Sequence, residues 1–279
     1  MEHLNEHVVK IHPRKGFSSV NFAELFEYRY LLYLFVWRDV KTRYKQSYIG
    51  LIWILLQPLA TMVIYSVFFG YLARFPSEGV PYPVYILAGI TCWQFFSRSL
   101  TSVSTSLADQ QALLSKIYFP RLLAPVAALL SSLSDLAVLF LLLLCVMVIF
   151  GVPPSFNMVV AFGYLILLGI LALAIGLILT GLDALIRDVR HGLALVTQLW
   201  YFASPIIYPI ELVPEQFRFY YLLNPTTPLV QGFRWALLGG GVAAPPAWAV
   251  ITSACVTIVL MLIGLMLFQR LERTIVDHI

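Results

Sequence analysis

The sequence predicts an all-α membrane protein. Six transmembrane helices are preceded by an N-terminal amphipathic interface helix, with short re-entrant exterior helices before the last span. Three observations carry this. Charged residues make up only 11% of the chain, against about 25% in soluble domains, while hydrophobic residues make up 60%. Long stretches, 46–73, 136–182 and 235–269, contain no Asp, Glu, Lys or Arg at all. Finally, the basic residues gather at the borders of those stretches rather than on one soluble face, so the net charge of +4 argues for a membrane and against nucleic acid.

The first 21 residues are polar, without the apolar core of a cleavable signal, and read as a cytoplasmic tail. His3 and His7 there have the i, i+4 spacing of a metal pair, but no scaffold or carboxylate cluster accompanies them, so a solvated tail is the reading. Residues 22–45 form the interface helix and its basic turn. Phe22, Phe26, Tyr30, Tyr33 and Trp37 recur at helical spacing on one side, while Glu24, Glu27 and Arg29 argue against a full span.

Residues 46–270 then hold the six spans. The first, 49–73, ends at Arg74 and the Pro76/Gly79/Pro81/Pro83 cluster. The second covers 84–107. The third, 122–150, opens just after Phe119-Pro120-Arg121, where a proline suits a helix start. Gly151-Val152-Pro153-Pro154 breaks the longest uncharged run, which puts the fourth span at 157–182. The fifth covers 191–210 and the sixth 246–268, delayed by Gly239-Gly240-Gly241 and Pro245-Pro246. Residues 271–279 are a cytoplasmic C-terminus. Between the last two spans, 211–235 is aromatic and interrupted by Pro214, Pro225 and Pro228, as short helices dipping back into the outer leaflet would be, with an ordinary surface loop as the alternative.

Basic residues orient this layout. Those before residue 49, with Lys116, Arg121, Arg187, Arg190, Arg270 and Arg273, fall on the cytoplasmic side; only Arg74, Arg218 and Arg234 fall outside. Both termini are therefore expected in the cytoplasm. Cys92, Cys145 and Cys255 lie inside apolar segments and read as small buried hydrophobes.

Several kinds of chemistry are missing. The chain has no Gly-x-x-x-x-Gly-Lys loop, no His-Glu-x-x-His and no Gly-x-Ser-x-Gly. No soluble segment is long enough for a catalytic domain, so energy must come from a gradient or a partner. Ion-coupled carriers keep several ionisable groups at mid-membrane, and here only Asp135 is deep. Asp135 serves either as a bundle-facing brace or on a pathway; Arg98 either snorkels to the headgroups or does the same.

The stretch Arg38-Asp39-Val40-Lys41-Thr42-Arg43-Tyr44-Lys45-Gln46-Ser47-Tyr48-Ile49-Gly50, followed by Trp53 and Pro58, resembles the entrance motif of ABC-2 transporter permeases that export polysaccharides. Leu114-Ser115-Lys116-Ile117-Tyr118-Phe119-Pro120-Arg121, Arg187-Asp188-Val189-Arg190, Ser204-Pro205-Ile206-Ile207-Tyr208 and Leu223-Asn224-Pro225 resemble later segments of the same family, in order. O-antigen export permeases are the nearest in kind, then teichoic-acid and capsule exporters.

The resemblance implies a transport subunit of the bacterial inner membrane, not an enzyme. It implies a homodimer carrying two copies of a separate ATP-binding cassette ATPase, which holds the ATP and Mg2+; this chain itself carries no cofactor or metal. The cargo would be an undecaprenyl-diphosphate-linked glycan. Arg38, Lys41, Arg43, Lys45, Lys116, Phe119, Pro120 and Arg121 would form the ATPase-coupling and entrance surfaces. The cations there can also attract a diphosphate, or merely set topology among the membrane lipids. For the pathway, aromatic rings can stack on the C–H faces of sugars without fixing them. Tyr48, Trp53, Tyr65, Trp200, Tyr201 and Tyr208 suit that role. Tyr48 and Tyr208 equally suit an interfacial belt, and adjacent Trp200 and Tyr201 cannot both face a lumen squarely. An exporter of drugs or small lipids, or a membrane-embedded enzyme of glycan assembly, are the competing readings.

Overall fold

A computed structural model describes residues 27–45, 50–110, 119–185 and 189–276. The tail at 1–21, the start of the interface helix, Tyr48, Lys116 and Arg187 lie outside the described residues. Among those described, the chain is all α-helical.

Helix α1 (Arg29–Lys45) lies against the start of α4 (Leu123–Ile149). Its inner face is Leu31, Leu32, Phe35 and Val36, and Phe35 meets Phe119 edge-on at 5.2 Å. Tyr30, Tyr33 and Trp37 stay exposed on the other side, with the last two stacked at 6.4 Å. Of the expected aromatic stripe, these three are unburied, and Phe22 and Phe26 lie outside the described residues.

Helix α2 (Gly50–Tyr65) contains Pro58 and continues as a π-helix over Ser66–Leu72. The hydrogen bond from Ala73 N–H to Phe68 O at 2.9 Å shows the wider turn. Helix α3 (Tyr82–Asp109) is the hub, buried on nearly every side by α2, α4, α5 (Met158–Leu185) and α8 (Thr226–Leu238). Helix α4 ends in a Schellman motif. Gly151, at φ +68°, lets Val152 N–H reach Met147 O at 2.9 Å and Gly151 N–H reach Val148 O at 3.1 Å.

Helix α9 (Ala247–Val276) packs on α5, and a Cβ on Gly264 would come within 2.7 Å of Ala174 O. The two backbones thus approach as closely as a small residue permits, a common device between membrane helices. Short helices α7 (Glu215–Leu223) and α8 occupy the segment expected to hold them, and α8 is buried against α5 and α3.

Among the described residues, four helical stretches are long and apolar enough to cross a membrane: Ile54–Leu72, Leu123–Ile149, Met158–Leu182 and Ala247–Arg270. The chain is thus a multi-pass membrane protein. The other two expected spans differ. Helix α3 has the length, 28 residues, but carries Thr91, Gln94, Arg98 and a run of serines and threonines. It is wrapped by protein, so its outside need not match lipid. The span expected at 191–210 is shorter than the sequence suggests: α6 (Val189–Ala203) has 15 residues, about 22 Å, and stops before Pro205. Of the cysteines, Cys92 is buried, but Cys145 and Cys255 lie on the outer surface. Apolar surroundings in the sequence do not separate an interior position from one that faces hydrocarbon.

Candidate functional site

Helices α2, α3 and α6 enclose a cleft of about 380 Å3. Tyr65 comes from α2, Trp93 from α3 and Tyr201 from α6, with Trp93 and Tyr201 rings 5.6 Å apart. The same cleft is lined by Gln57, Thr61, Gln94, Ser97, Arg98, Thr197 and Gln198. Gln57 and Gln198 are exposed, and the Gln94 Oε1 is buried without a hydrogen-bond partner among the described residues. Rings share the lining with amides and hydroxyls, a surface that offers stacking and hydrogen bonds together.

The sequence-expected aromatics divide. Tyr65 and Tyr201 both line the cleft. Trp200, one residue and about 100° further back on α6, turns away. Its ring packs on Phe96 at 5.3 Å, and its Nε1–H donates to Asn224 Oδ1 at 2.9 Å. Tyr208 lies apart, in a pocket of about 470 Å3 formed with Phe75, Leu212, Val213, Pro214, Phe217 and Tyr221. Its hydroxyl donates to Phe202 O at 2.9 Å. Trp53 sits in the first turn of α2, and Tyr48 lies outside the described residues. Trp93 was not singled out in the sequence, because its spacing matches any buried aromatic of α3.

A polar knot ties the end of α6 to α7 and α8. Asn224 Nδ2 donates to Ser204 Oγ at 3.0 Å, and Asn224 Oδ1 accepts from Thr226 Oγ1 at 2.9 Å. Beside it Arg234 on α8, expected at an exterior border, is 2% exposed instead. Its guanidinium donates to Tyr85 O at 3.2 Å, to Pro205 O at 2.9 Å and to Ile206 O, and lies 3.9 Å over the Tyr85 ring. Three carbonyl oxygens and a π face replace the water that a buried cation loses. Nearby, burial pushes the Glu78 carboxyl above its ordinary value of 4.5, opposed by the Ala243 N–H that it accepts at 2.7 Å and reinforced by Glu211.

At the other end of α3, Asp135 is the meeting point of two arginines. Its side chain is 3% exposed; it is ion-paired with Arg43 of α1, and Arg98 of α3 lies 3.4 Å away. Arg98 is therefore held by a carboxylate rather than reaching for headgroups. Arg38 pairs with its neighbour Asp39 at 2.8 Å and lies over the Phe35 ring. Lys41 is exposed on α1, and Lys45 closes that helix. Phe119 is buried under Phe35, Pro120 O accepts the first N–H of α4 from Leu123, and Arg121 is half-buried. Phe119 thus links α1 to the start of α4.

The sequence matches the ABC-2 type transporter family over residues 30–238, a region that contains the cleft, the arginine–aspartate cluster and the Asn224 knot. The chain belongs to the ABC-2 type transporter family. It is 26% identical to the O-antigen export system permease protein RfbA of Myxococcus xanthus, covering 92% of this chain and 98% of that protein. A Klebsiella pneumoniae RfbA is 27% identical over 90% and 95% of the two chains. The polysialic acid transport protein KpsM of Escherichia coli is 28% identical over 85% and 91%. Permeases of this family are transport subunits rather than enzymes; they pair with ATPase subunits, which carry the ATP and Mg2+. Among the described residues, no group of three or more His, Cys, Asp or Glu is placed to hold a metal.

Proposed function

We propose that this chain is the membrane-spanning permease subunit of an ATP-driven exporter that moves a lipid-linked polysaccharide outward across the bacterial inner membrane. Lipopolysaccharide O-antigen is the foremost cargo, carried on undecaprenyl diphosphate. The observation that carries this reading is the cleft that Tyr65, Trp93 and Tyr201 line together with Gln57, Gln94 and Gln198. Sugars present apolar C–H faces and hydroxyl edges in alternation, and such a wall matches both without closing on one ring. The similarity to O-antigen export permeases supports the cargo class. Similarity to a polysialic acid transport protein favours a capsular polysaccharide as the second reading.

Two copies assemble around the cleft, each with one ATPase subunit. Exposed Gln57 and Gln198 support this, because an amide facing hydrocarbon is costly and a second copy would cover it with a polar, water-filled surface. In this reading the chain crosses the membrane six times, with both termini, α1 and the Phe119-Pro120-Arg121 turn on the cytoplasmic side, against the ATPase. The π-helical end of α2, α7 and α8 then lie at the exit.

Deleting the gene should abolish surface glycan while undecaprenyl-diphosphate-linked glycan accumulates inside the cell. Immunodetection on intact and on permeabilised cells reads both. Unchanged surface glycan would contradict the proposal.

A further inference from the structure

Among the described residues, Arg98 of α3 is the one charged side chain that lines the aromatic cleft. It is 28% exposed, whereas Asp135 behind it is 3% exposed. Asp135 therefore tethers Arg98 from inside the protein, at 3.4 Å, without lining the cleft itself. That tether is shared, because Arg43 of α1 is ion-paired with the same carboxylate oxygen. Two guanidiniums on one carboxylate leave positive charge over. Asp39 and Asp109 do not cancel it. They line a polar cavity of about 490 Å3 under α1, where Arg38 pairs with the first at 2.8 Å and Arg190 with the second at 3.6 Å.

The neighbours of Arg98 in the cleft suit a sugar. Gln94 lies one helical turn before it on the same face, with its Oε1 unpartnered among the described residues. The rings of Trp93 and Tyr201, 5.6 Å apart, line the same cleft. A guanidinium fork takes both oxygens of a carboxylate, an amide oxygen accepts from a hydroxyl, and a ring stacks on a C–H face. One sugar offers all three groups only if it carries an acid. A neutral sugar gains nothing from the charge of Arg98, and a basic one is repelled by it. The tether to Asp135 also keeps the contact weak, because an incoming carboxylate competes with one already in place. A chain that must slide needs such release.

We propose that Arg98 makes the cleft selective for acidic glycans, holding the carboxylate of an anionic sugar while the rings beside it stack on the same residue of the chain. This rests on the export function proposed above and narrows its cargo to a polysaccharide with acidic sugars in its repeat. Asp135 acts as the positioning residue, fixing the guanidinium from behind and moderating its grip.

The test uses the full-length protein in phosphatidylcholine nanodiscs and two probes of equal length, an oligogalacturonide and its methyl ester. The pair differs only in charge, and ligand-observed nuclear magnetic resonance reads weak binding of each. The acid should bind about threefold or more tightly than the ester at low salt, and the preference should shrink as salt is raised. Arg98→Gln should abolish the preference while leaving the affinity for the ester unchanged. The fold is expected to survive this change, because Asp135 keeps Arg43 as a partner. Arg98→Lys should keep part of the preference. A merely structural arginine would instead lower the binding of both probes together, and that result overturns the proposal. Equal binding of acid and ester to the wild type, or a preference that persists in Arg98→Gln, overturns it as well, while export itself stands on the surface-glycan test. Binding of neither probe overturns the proposal together with the cleft as a sugar-binding surface.

Discussion

Arg234 and Gly89 depend on each other. A Cβ on Gly89 would fall 2.1 Å from the Arg234 guanidinium nitrogen, in the space where that group bonds Ile206 O. An arginine end is usually flexible, but this one is fixed by three carbonyls and cannot withdraw to water. Gly89→Ala should therefore lower stability by about 1–3 kcal/mol, as overpacking does, measurable by thermal unfolding in detergent. Glu78, in the loop before α3, provides a pH test. Its folded-state pKa lies above its ordinary 4.5, so the stability that it contributes is full below that value. The contribution is lost as pH rises through the higher, folded value. Melting temperature of the wild type should thus decline relative to Glu78→Gln as pH is raised from 4.5 towards neutrality. The opposite trend would mean that the Ala243 N–H outweighs burial. The sequence showed Arg234 only as a charge near an apolar border, since nothing in it reveals that carbonyls from α3 and from the turn after α6 converge there. Asp135 was visible as a deep acid, but its partner Arg43 is 92 residues away.

At the scale of elements, α1 and the segment ahead of α4 form one mechanical unit. Phe35 and Phe119 interlock, Arg43 reaches Asp135, and Pro120 starts α4. A push on α1 from a cytoplasmic partner would be passed directly to α4. Replacing Lys116 and Arg121 together by alanine should leave the protein inserted yet weaken ATPase co-purification or export. Normal values of both at normal expression would remove this assignment. Helices with long uncharged runs were legible, because the membrane-length parts of α4, α5 and α9 hold such runs between charged or Gly/Pro-rich borders. Helix α6 was not, because Ile206 and Ile207 extend its apolar run past Pro205, where the helix has already stopped. Likewise, helical periodicity separates Tyr201 from Trp200 but does not say which of them faces the cleft; the bond from Trp200 to Asn224 decides it.

On the scale of the whole molecule, the polar features line up along α3. The cavity under α1, the Asp135 cluster, the aromatic cleft and the Asn224 knot follow one another from one end of the helix bundle towards the other. A conduit that slides a long glycan needs such a succession of weak contacts rather than one tight site. The most direct test is the length distribution of glycan exported when Tyr65, Trp93 and Tyr201 are replaced singly by alanine in the full transporter. Electrophoresis of surface glycan, at matched expression, should show loss of the longest chains first, because each missing platform adds resistance at every sugar that passes. Wild-type amounts and lengths in all three variants would contradict the account.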